Sequence, residues 1–131
     1  MNDFTSSPVW FITGCSSGLG RALAAHVLKR GQRVVATARQ PEELGELVER
    51  YPDQCRALAF DVADPAQAAR VVPEAAGILG RLDVVVNNAG FGLVGALEEL
   101  GDAQIMRNFE TNFFGAVRVM RAALPILRAQ R

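Results

Sequence analysis

Short apolar runs alternate with longer amphipathic segments along the whole chain. Each run has four to six residues and is largely apolar, which is typical of strands buried on both faces. The segments between the runs repeat apolar residues at helical spacing. This alternation predicts an α/β fold, a doubly wound parallel sheet with helices on both faces. The predicted strands are residues 9–12, 33–38, 57–60 and 83–87.

Glycine, proline and acidic residues delimit the predicted helices. Pro41 suits the first position of the second helix, and Asp64 is the predicted N-cap of the third. Pro73 should kink or split the third helix, and Pro125 should bend the last turn of the fourth, because proline cannot donate a helical hydrogen bond. Asp102 is the predicted N-cap of that fourth helix. The predicted helices are residues 18–30, 41–49, 65–79 and 103–129.

Three glycines join the first strand to the first helix with the spacing Thr-Gly-x-x-x-Gly-x-Gly. A helix N-terminus offers unpaired N–H groups and a partial positive charge, and glycines permit close approach, so a phosphate is expected here. The spacing differs from G-x-G-x-x-G, and no lysine follows the last glycine as it does in a phosphate loop. A tight turn without any ligand is the alternative. The candidate binding residues are Gly14, Ser16, Ser17, Gly18, Leu19 and Gly20.

Glycine or polar residues also follow the other predicted strands, at Arg39, Asp61 and residues 87–90. The carboxyl ends of parallel strands share one edge, where doubly wound sheets bind ligands. Dinucleotide-binding folds that take NAD carry an acidic residue after the second strand, but this chain has Ala38 followed by Arg39. Because a guanidinium binds a 2′-phosphate through two charge-assisted hydrogen bonds, the sequence favours NADP(H) over NAD. A solvated surface arginine is the alternative.

Composition limits the classes of partner. The 131 residues carry 14 basic and 14 acidic side chains, so neither a nucleic acid nor a membrane surface is an expected partner. Residues 1–8 are polar, lack the features of a signal peptide, and are predicted to form a disordered arm. Cys15 and Cys55 match neither a metal-binding spacing nor a disulfide framework. We therefore expect no metal, two free thiols and a cytoplasmic location.

Together these motifs resemble the short-chain dehydrogenase/reductase family. The resemblance rests on the glycine turn at residues 13–20, the Asp-Val pair at 61–62, the Asn-Asn-Ala-Gly sequence at 87–90, and Asn112. These features follow the order and spacing of the family across nearly the whole chain. The resemblance implies a Rossmann-type sheet with strand order 3-2-1-4 and NADP(H) lying over it.

The resemblance also implies roles for individual residues. The pair at 61–62 would border the adenine, and residues 87–90 would support the central strand and the ribose side of the cofactor. Asn112 would be the first member of an Asn-Ser-Tyr-Lys tetrad, holding a water of the proton relay at a helix irregularity. From the pattern alone, Asn112 is equally a polar residue flanking an amphipathic helix. The implied cofactor residues at these strand ends are Asp61, Val62, Asn88, Ala89 and Gly90.

The family's catalytic Ser and Tyr-x-x-x-Lys are not found in these 131 residues. Tyr51 is the only tyrosine, and the residue four positions later is Cys55. We therefore expect a cofactor-binding domain over residues 9–131, truncated before those catalytic residues and inactive by itself. The functional hypothesis is an NADP(H)-dependent oxidoreductase of an alcohol/ketone pair.

Two alternatives belong to other classes. One is a non-catalytic NADP(H)-binding module or inactive fragment, which lacks the same proton donor. The other is a methyltransferase with a Rossmann-like domain. Methyltransferases usually place an acidic residue after the second strand, so Ala38 and Arg39 disfavour that class.

The remaining expectations concern partners. The apolar residues of the loop at 91–100 favour a small-molecule carbonyl or alcohol substrate that is apolar, and disfavour a small charged ion. The fourth strand is expected to lie at an exposed apolar edge, and the last helix has one apolar side. We therefore expect the chain to be poorly soluble, or to form a homo-oligomer through the last helix or that edge.

Overall fold

The computed structural model describes residues 3–130. Its core is a parallel sheet of four strands: β1 (Val9–Ile12), β2 (Arg33–Ala38), β3 (Cys55–Ala59) and β4 (Val84–Val86). The strand order is β3-β2-β1-β4, as predicted. Phe11 of β1 pairs with Val35 of β2 on one side and with Val85 of β4 on the other. The order reverses at β1, so the carboxyl end of β1 lies at the switch point of the sheet.

Helices cover both faces of this sheet, which confirms the doubly wound architecture. On one face α3 and α5 bury Phe11 and Val35, while on the other α1 and α2 bury Ile12 and Val34. This division follows from the alternation of side chains along a strand. The helices are α1 (Gly18–Lys29), α2 (Gly45–Arg50), α3 (Ala68–Ile78), α4 (Asp102–Phe109) and α5 (Ala116–Ala129), and 3-10 turns lie at Pro41–Leu44 and Leu97–Glu99.

The predicted last helix is not continuous. A π-helical turn, Glu110–Gly115, separates α4 from α5, and Asn112 lies within it. At the start of α4, Asp102 is the first helical residue rather than the cap. Gly101 precedes it and donates its N–H to the side-chain oxygen of Gln104 at 2.8 Å. Gly101 therefore takes the N-cap position that Asp102 was expected to occupy.

Neither proline interrupts its helix. Pro73 lies inside α3 and Pro125 inside α5, and both helices continue past them. Each proline removes a hydrogen bond to the carbonyl four residues earlier, which belongs to Ala69 or Arg121. Both of those residues are exposed, so water can satisfy the carbonyls that lose a partner.

The third helix begins later than the sequence predicted. Asp64 caps a separate turn instead of the helix, because its carboxylate accepts the N–H of Ala66 at 2.9 Å. The helix α3 starts only at Ala68, where Gln67 is the N-cap residue. The carboxamide oxygen of Gln67 also accepts the N–H of Asp61 at 2.9 Å, which ties the start of this helix to the end of β3.

The N-terminal arm is held in place as far as the structure describes it. Residues 1 and 2 lie outside the described range, and the sequence predicted disorder for residues 1–8. The buried guanidinium of Arg33 donates to the carbonyls of Thr5, at 2.9 Å, and Ser7, at 2.7 Å. It also donates to Leu79 at 2.9 Å. Residues 3–8 thus lie against the amino-terminal edge of the sheet, away from the switch point.

Two features bear on the expected partners. Within residues 3–130, no helix has the length and apolar character needed to cross a bilayer. In the same range, no three His, Cys, Asp or Glu side chains are grouped so that they could hold a metal ion.

Candidate functional site

A cleft of about 700 Å³ opens at the carboxyl-terminal edge of the sheet. It lies above the switch point, where β1 passes between β2 and β4. All the cofactor residues predicted from the sequence line this cleft except Gly20. Its walls are formed by Gly14, Ser16, Ser17, Gly18, Leu19, Ala38, Arg39, Phe60, Asp61, Val62, Asn88, Ala89, Gly90, Phe91 and Thr111.

The glycine turn depends on its glycines for two separate reasons. Gly14 and Gly18 have φ angles of 68° and 60°, a left-handed conformation that side chains disfavour. A Cβ atom on Gly14 would also lie 2.9 Å from the Cα atom of Ala89. The turn after β1 therefore packs directly against the loop after β4, and both line the same cleft.

Gly20 has a packing role that the sequence analysis did not predict. A Cβ atom at this position would lie 2.4 Å from both the side-chain nitrogen of Asn88 and the carbonyl oxygen of Gly14. Gly20 is buried in the first turn of α1, behind the residues that face the cleft. Its glycine lets α1 approach the β4 loop, so it shapes the cleft without lining it.

The N-terminus of α1 faces the cleft without a competing anion. Ser17 is the N-cap residue in an extended conformation, and its side chain makes no capping hydrogen bond. The first turn contains no acidic residue. Because the first N–H groups of a helix have no partner inside it, this end of α1 can bind an anion. Leu19, 83% exposed, stands beside it.

Thr13 connects the two loops, and the sequence analysis did not select it. Its hydroxyl oxygen accepts the backbone N–H groups of Asn88 at 3.1 Å and Ala89 at 3.0 Å. The side chain of Asn88 returns two hydrogen bonds, to the carbonyls of Thr13 and Gly14, each at 3.0 Å. The one available signal was the position of Thr13, directly before the first glycine of the turn.

Arg39 stands at the end of β2, on the wall of the cleft. It is exposed, and none of the ion pairs found within residues 3–130 includes it. Ala38 precedes it and is buried, so there is no acidic side chain at this strand end. The guanidinium is therefore available to an anionic group in the cleft.

The end of β3 forms the next part of the wall. The carboxylate of Asp61 accepts the N–H of Ala63 at 3.0 Å, which fixes the turn after the strand. Val62 is buried and packs against Gly115, where a Cβ atom would lie 2.9 Å from the valine side chain. The π-helical turn thereby contacts the strand end.

Asn112 does not line the cleft itself. Its side-chain oxygen accepts the N–H of Phe91 at 2.9 Å, and its side-chain nitrogen donates to the carbonyl of Phe91 at 2.8 Å. A Cβ atom on Gly90 would lie 3.0 Å from that side-chain oxygen. Asn112 thus holds the segment that follows β4, because both its side-chain oxygen and its side-chain nitrogen are hydrogen-bonded to Phe91.

Cys15 lies inside the glycine turn but is not a reactive group. It is fully buried, and its thiol donates to the carbonyl of Ile12 at 3.2 Å. Burial raises the pKa of this thiol to about 11, so the nucleophilic thiolate is scarce at neutral pH. Cys15 fills space under the turn.

Known proteins similar to this chain share both sequence and fold. The oxidoreductase calM of Penicillium decumbens is 41% identical over 131 residues, which cover 97% of this chain and 43% of that protein. A short-chain dehydrogenase from Streptomyces avermitilis is 42% identical with a TM-score of 0.91, covering 95% of this chain and 46% of that one. The chain thus spans less than half the length of either relative.

Two other solved structures hold different cofactors. A metagenomic short-chain oxidoreductase in complex with NADP is 30% identical, with a TM-score of 0.87, over 96% of this chain and 59% of that one. A 3-ketoacyl-(acyl-carrier-protein) reductase from Brucella melitensis, complexed with NADH, is 27% identical with a TM-score of 0.88, over 94% and 51%. A family model described as short chain dehydrogenase matches residues 8–131. Because that match spans nearly the whole chain and the folds agree, the chain belongs to the short-chain dehydrogenase/reductase family of oxidoreductases.

Proposed function

We propose that this chain is the cofactor-binding part of an NADP(H)-dependent oxidoreductase that interconverts an alcohol and a ketone. The observation that carries the choice of NADP(H) is the exposed guanidinium of Arg39 on the cleft wall, where folds that bind NAD place a carboxylate. A guanidinium attracts a 2′-phosphate and a carboxylate repels it. The similar structures do not decide between the two cofactors, since one holds NADP and another holds NADH.

The remaining residues of the cleft fit a dinucleotide. Gly14 and Gly18 themselves place no side chain where the phosphates would lie. The N-terminus of α1 supplies N–H donors. Ser16 and Ser17 add hydroxyl donors. Asp61 and Val62 would border the adenine. Asn88, Ala89 and Gly90 would support the ribose on the nicotinamide side.

A nicotinamide cofactor supplies the hydride that reduces a carbonyl. The protein must also deliver a proton to the developing alkoxide, which is the task of a positioned side chain acting as a general acid. Asn112 is the one residue of this chain that we assign to that proton relay. Within these 131 residues the only tyrosine, Tyr51, is followed four positions later by Cys55. We therefore propose that the chain by itself binds NADP(H) without turning over a substrate.

A second candidate is a non-catalytic NADP(H)-binding module, because the residues that line the cleft fit a dinucleotide whether or not a proton donor accompanies them. The two functions differ in one measurement, carbonyl-dependent oxidation of NADPH by the protein purified from the cell that makes it, since these 131 residues alone are expected to be inactive under either function. Oxidation above the rate without carbonyl supports the oxidoreductase. Tight NADPH binding without such oxidation supports the module.

The substrate we propose is a small-molecule carbonyl or alcohol with an apolar skeleton. The loop between Phe91 and Leu100 extends from the cleft and carries Val94, 96% exposed, and Leu97, 77% exposed. Apolar side chains with this exposure favour contact with an apolar group over a small charged ion. A ketone or alcohol on a hydrocarbon skeleton suits this surface.

We also propose self-association and a cytoplasmic location. Met106, Phe109 and Phe113 are each more than half exposed on α4 and the π-helical turn, a surface that a second copy of the chain would cover. Cys15 and Cys55 are buried free thiols, which suit a reducing compartment.

The choice of cofactor is tested by Arg39→Ala. NADPH affinity should fall by roughly 1.5–3 kcal/mol, about ten- to a hundredfold, because charged hydrogen bonds are lost. NADH affinity should change little. Arg30→Ala is the matched control, because it removes the same charge from an exposed residue at the opposite end of α1. Equal losses for NADPH and NADH in Arg39→Ala would remove the assignment of NADP(H).

A further inference from the structure

Three hydrogen bonds converge on the backbone of Phe91. Asn112 makes two of them, one to the N–H and one to the carbonyl. The third comes from Asn108, whose side-chain nitrogen donates to the same carbonyl oxygen at 2.8 Å. A carbonyl oxygen has two lone pairs, so Asn108 and Asn112 together satisfy this one fully.

These bonds complete the support of the cleft wall that follows β4. At one end of the wall, Thr13 accepts the N–H groups of Asn88 and Ala89. At the other end, the two asparagines hold Phe91. The wall between them contains Gly90, where a Cβ atom would lie 3.0 Å from the side-chain oxygen of Asn112. The positions of residues 88–91 are therefore set from both ends.

Asn108 and Asn112 lie on different helical segments. Asn108 belongs to α4, and Asn112 belongs to the π-helical turn. Their convergence on one carbonyl fixes the end of α4 and the π-helical turn relative to the same loop. Asn108 does not line the cleft, and its hydrogen bond reaches the cleft wall through Phe91.

We infer that Asn108 is a positioning residue for the nicotinamide half of the cofactor, acting through the Phe91 carbonyl. The inference rests on the proposed function, because it assigns residues 88–91 to the nicotinamide side. The adenine side would lie at Arg39, Asp61 and Val62, which follow β2 and β3 and are separated by β1 from the loop after β4. Loss of the Asn108 bond loosens one wall and leaves the other unchanged.

The test compares two probes, NADPH and adenosine 2′,5′-bisphosphate, which has the adenine and 2′-phosphate but no nicotinamide. Asn108→Leu keeps a similar volume and removes the donor. It should weaken NADPH about three- to tenfold, the loss expected for one hydrogen bond, and leave the bisphosphate unchanged. Asn108→Gln retains the donor and should recover part of the NADPH affinity. Arg107→Leu, at the neighbouring exposed position, should affect neither probe.

The outcomes separate this inference from the proposed function. Equal weakening of both probes in Asn108→Leu, or no weakening of NADPH, overturns the positioning role. Failure of the unmodified chain to bind the bisphosphate overturns the NADP(H) assignment itself. If Asn108→Leu does not fold, Asn108→Ser provides the same comparison, since serine is too short to reach the carbonyl from α4.

Discussion

The hydroxyl oxygen of Thr13 lies 3.0 Å from the backbone nitrogen of Ala89, 76 positions later in the chain. This contact joins the turn after β1 to the loop after β4 across the switch point of the sheet. The N–H of Asn88 has a second partner in the carbonyl of Val86, at 3.1 Å. The N–H of Ala89, by contrast, donates to the Thr13 hydroxyl. Loss of that hydroxyl therefore affects Ala89 more than Asn88.

Thr13→Val keeps the shape of the side chain and removes a hydroxyl that accepts these two N–H groups and donates to the carbonyl of Val86 at 3.4 Å. We expect the free energy of unfolding to fall by about 1–3 kcal/mol, because a partly buried N–H is left without a partner. Urea denaturation followed by circular dichroism measures this loss. Thr37→Val is the matched control, since Thr37 is buried and only donates, to the carbonyl of Ile12 at 3.2 Å. A loss in Thr13→Val no larger than in Thr37→Val would contradict the role of Thr13.

Gly20→Ala and Gly77→Ala should change stability in opposite directions. At Gly20 the new methyl group overlaps the Asn88 side chain and the Gly14 carbonyl, so we expect a loss of about 1–3 kcal/mol. At Gly77, inside α3, nothing lies within 4 Å of the added Cβ atom. There the smaller backbone entropy of alanine should stabilise the protein by about 0.5–1 kcal/mol. Thermal unfolding of the two variants checks the signs, and a neutral Gly20→Ala would refute the close packing described here.

The elements and the position of the cleft could be predicted from the sequence, because local patterns determine them. Apolar runs mark the strands, and the glycine turn marks the strand end that faces a ligand. The strand order came from the family resemblance, and pairing from β3 through β4 confirms it. The role of Gly20 was not predictable, because the residue that excludes a side chain there is Asn88, from a distant part of the chain.

The family resemblance implied a helix irregularity at Asn112, and the π-helical turn bears this out, whereas the apolar pattern by itself did not predict an interruption of the last helix. The apolar period runs through residues 103–129 without a break, so the pattern predicts one helix. The π-helical turn arises where Asn112 binds Phe91 and where Gly115 packs on Val62. Both contacts are tertiary, and they determine the backbone where the local pattern permits a regular helix. Asn108 was missed because its partner is a backbone carbonyl, which has no signature in the sequence.

Alkaline pH should destabilise the folded chain through its two cysteines. Burial raises the pKa of Cys15 and of Cys55 to about 11, against an ordinary value of 9.0. Between pH 9 and 11 the thiols of the unfolded chain ionise while those of the folded chain stay protonated. The stability that the buried neutral thiols contribute is therefore fully present below pH 9 and is lost as the pH rises to 11.

The slope should approach roughly 1.4 kcal/mol per pH unit for each thiol inside that window. Urea unfolding at a series of pH values measures it. The slope must be compared with that of a variant carrying Cys15→Ala and Cys55→Ala. A parallel pH dependence in that variant would show that the thiols do not cause the loss.

Self-association should occur through the exposed apolar surface of Met106, Phe109 and Phe113. These side chains are 65%, 53% and 54% exposed, and they lie on adjoining turns of α4 and the π-helical turn. Burying apolar side chains of this size contributes about 1.5–3 kcal/mol each, enough for a second copy to bind at micromolar concentrations if most of the surface is covered.

Sedimentation velocity over a range of concentrations measures that association, and the weight-average mass should rise above the monomer mass. Phe113→Gln combined with Met106→Gln should raise the dissociation constant of self-association at least tenfold, because two apolar side chains no longer drive association. Val94→Gln is the control, because Val94 is 96% exposed on the loop after β4 and lies outside this surface. If Val94→Gln weakens association as strongly as the helix variant, the loop is the contact and the helical surface is not.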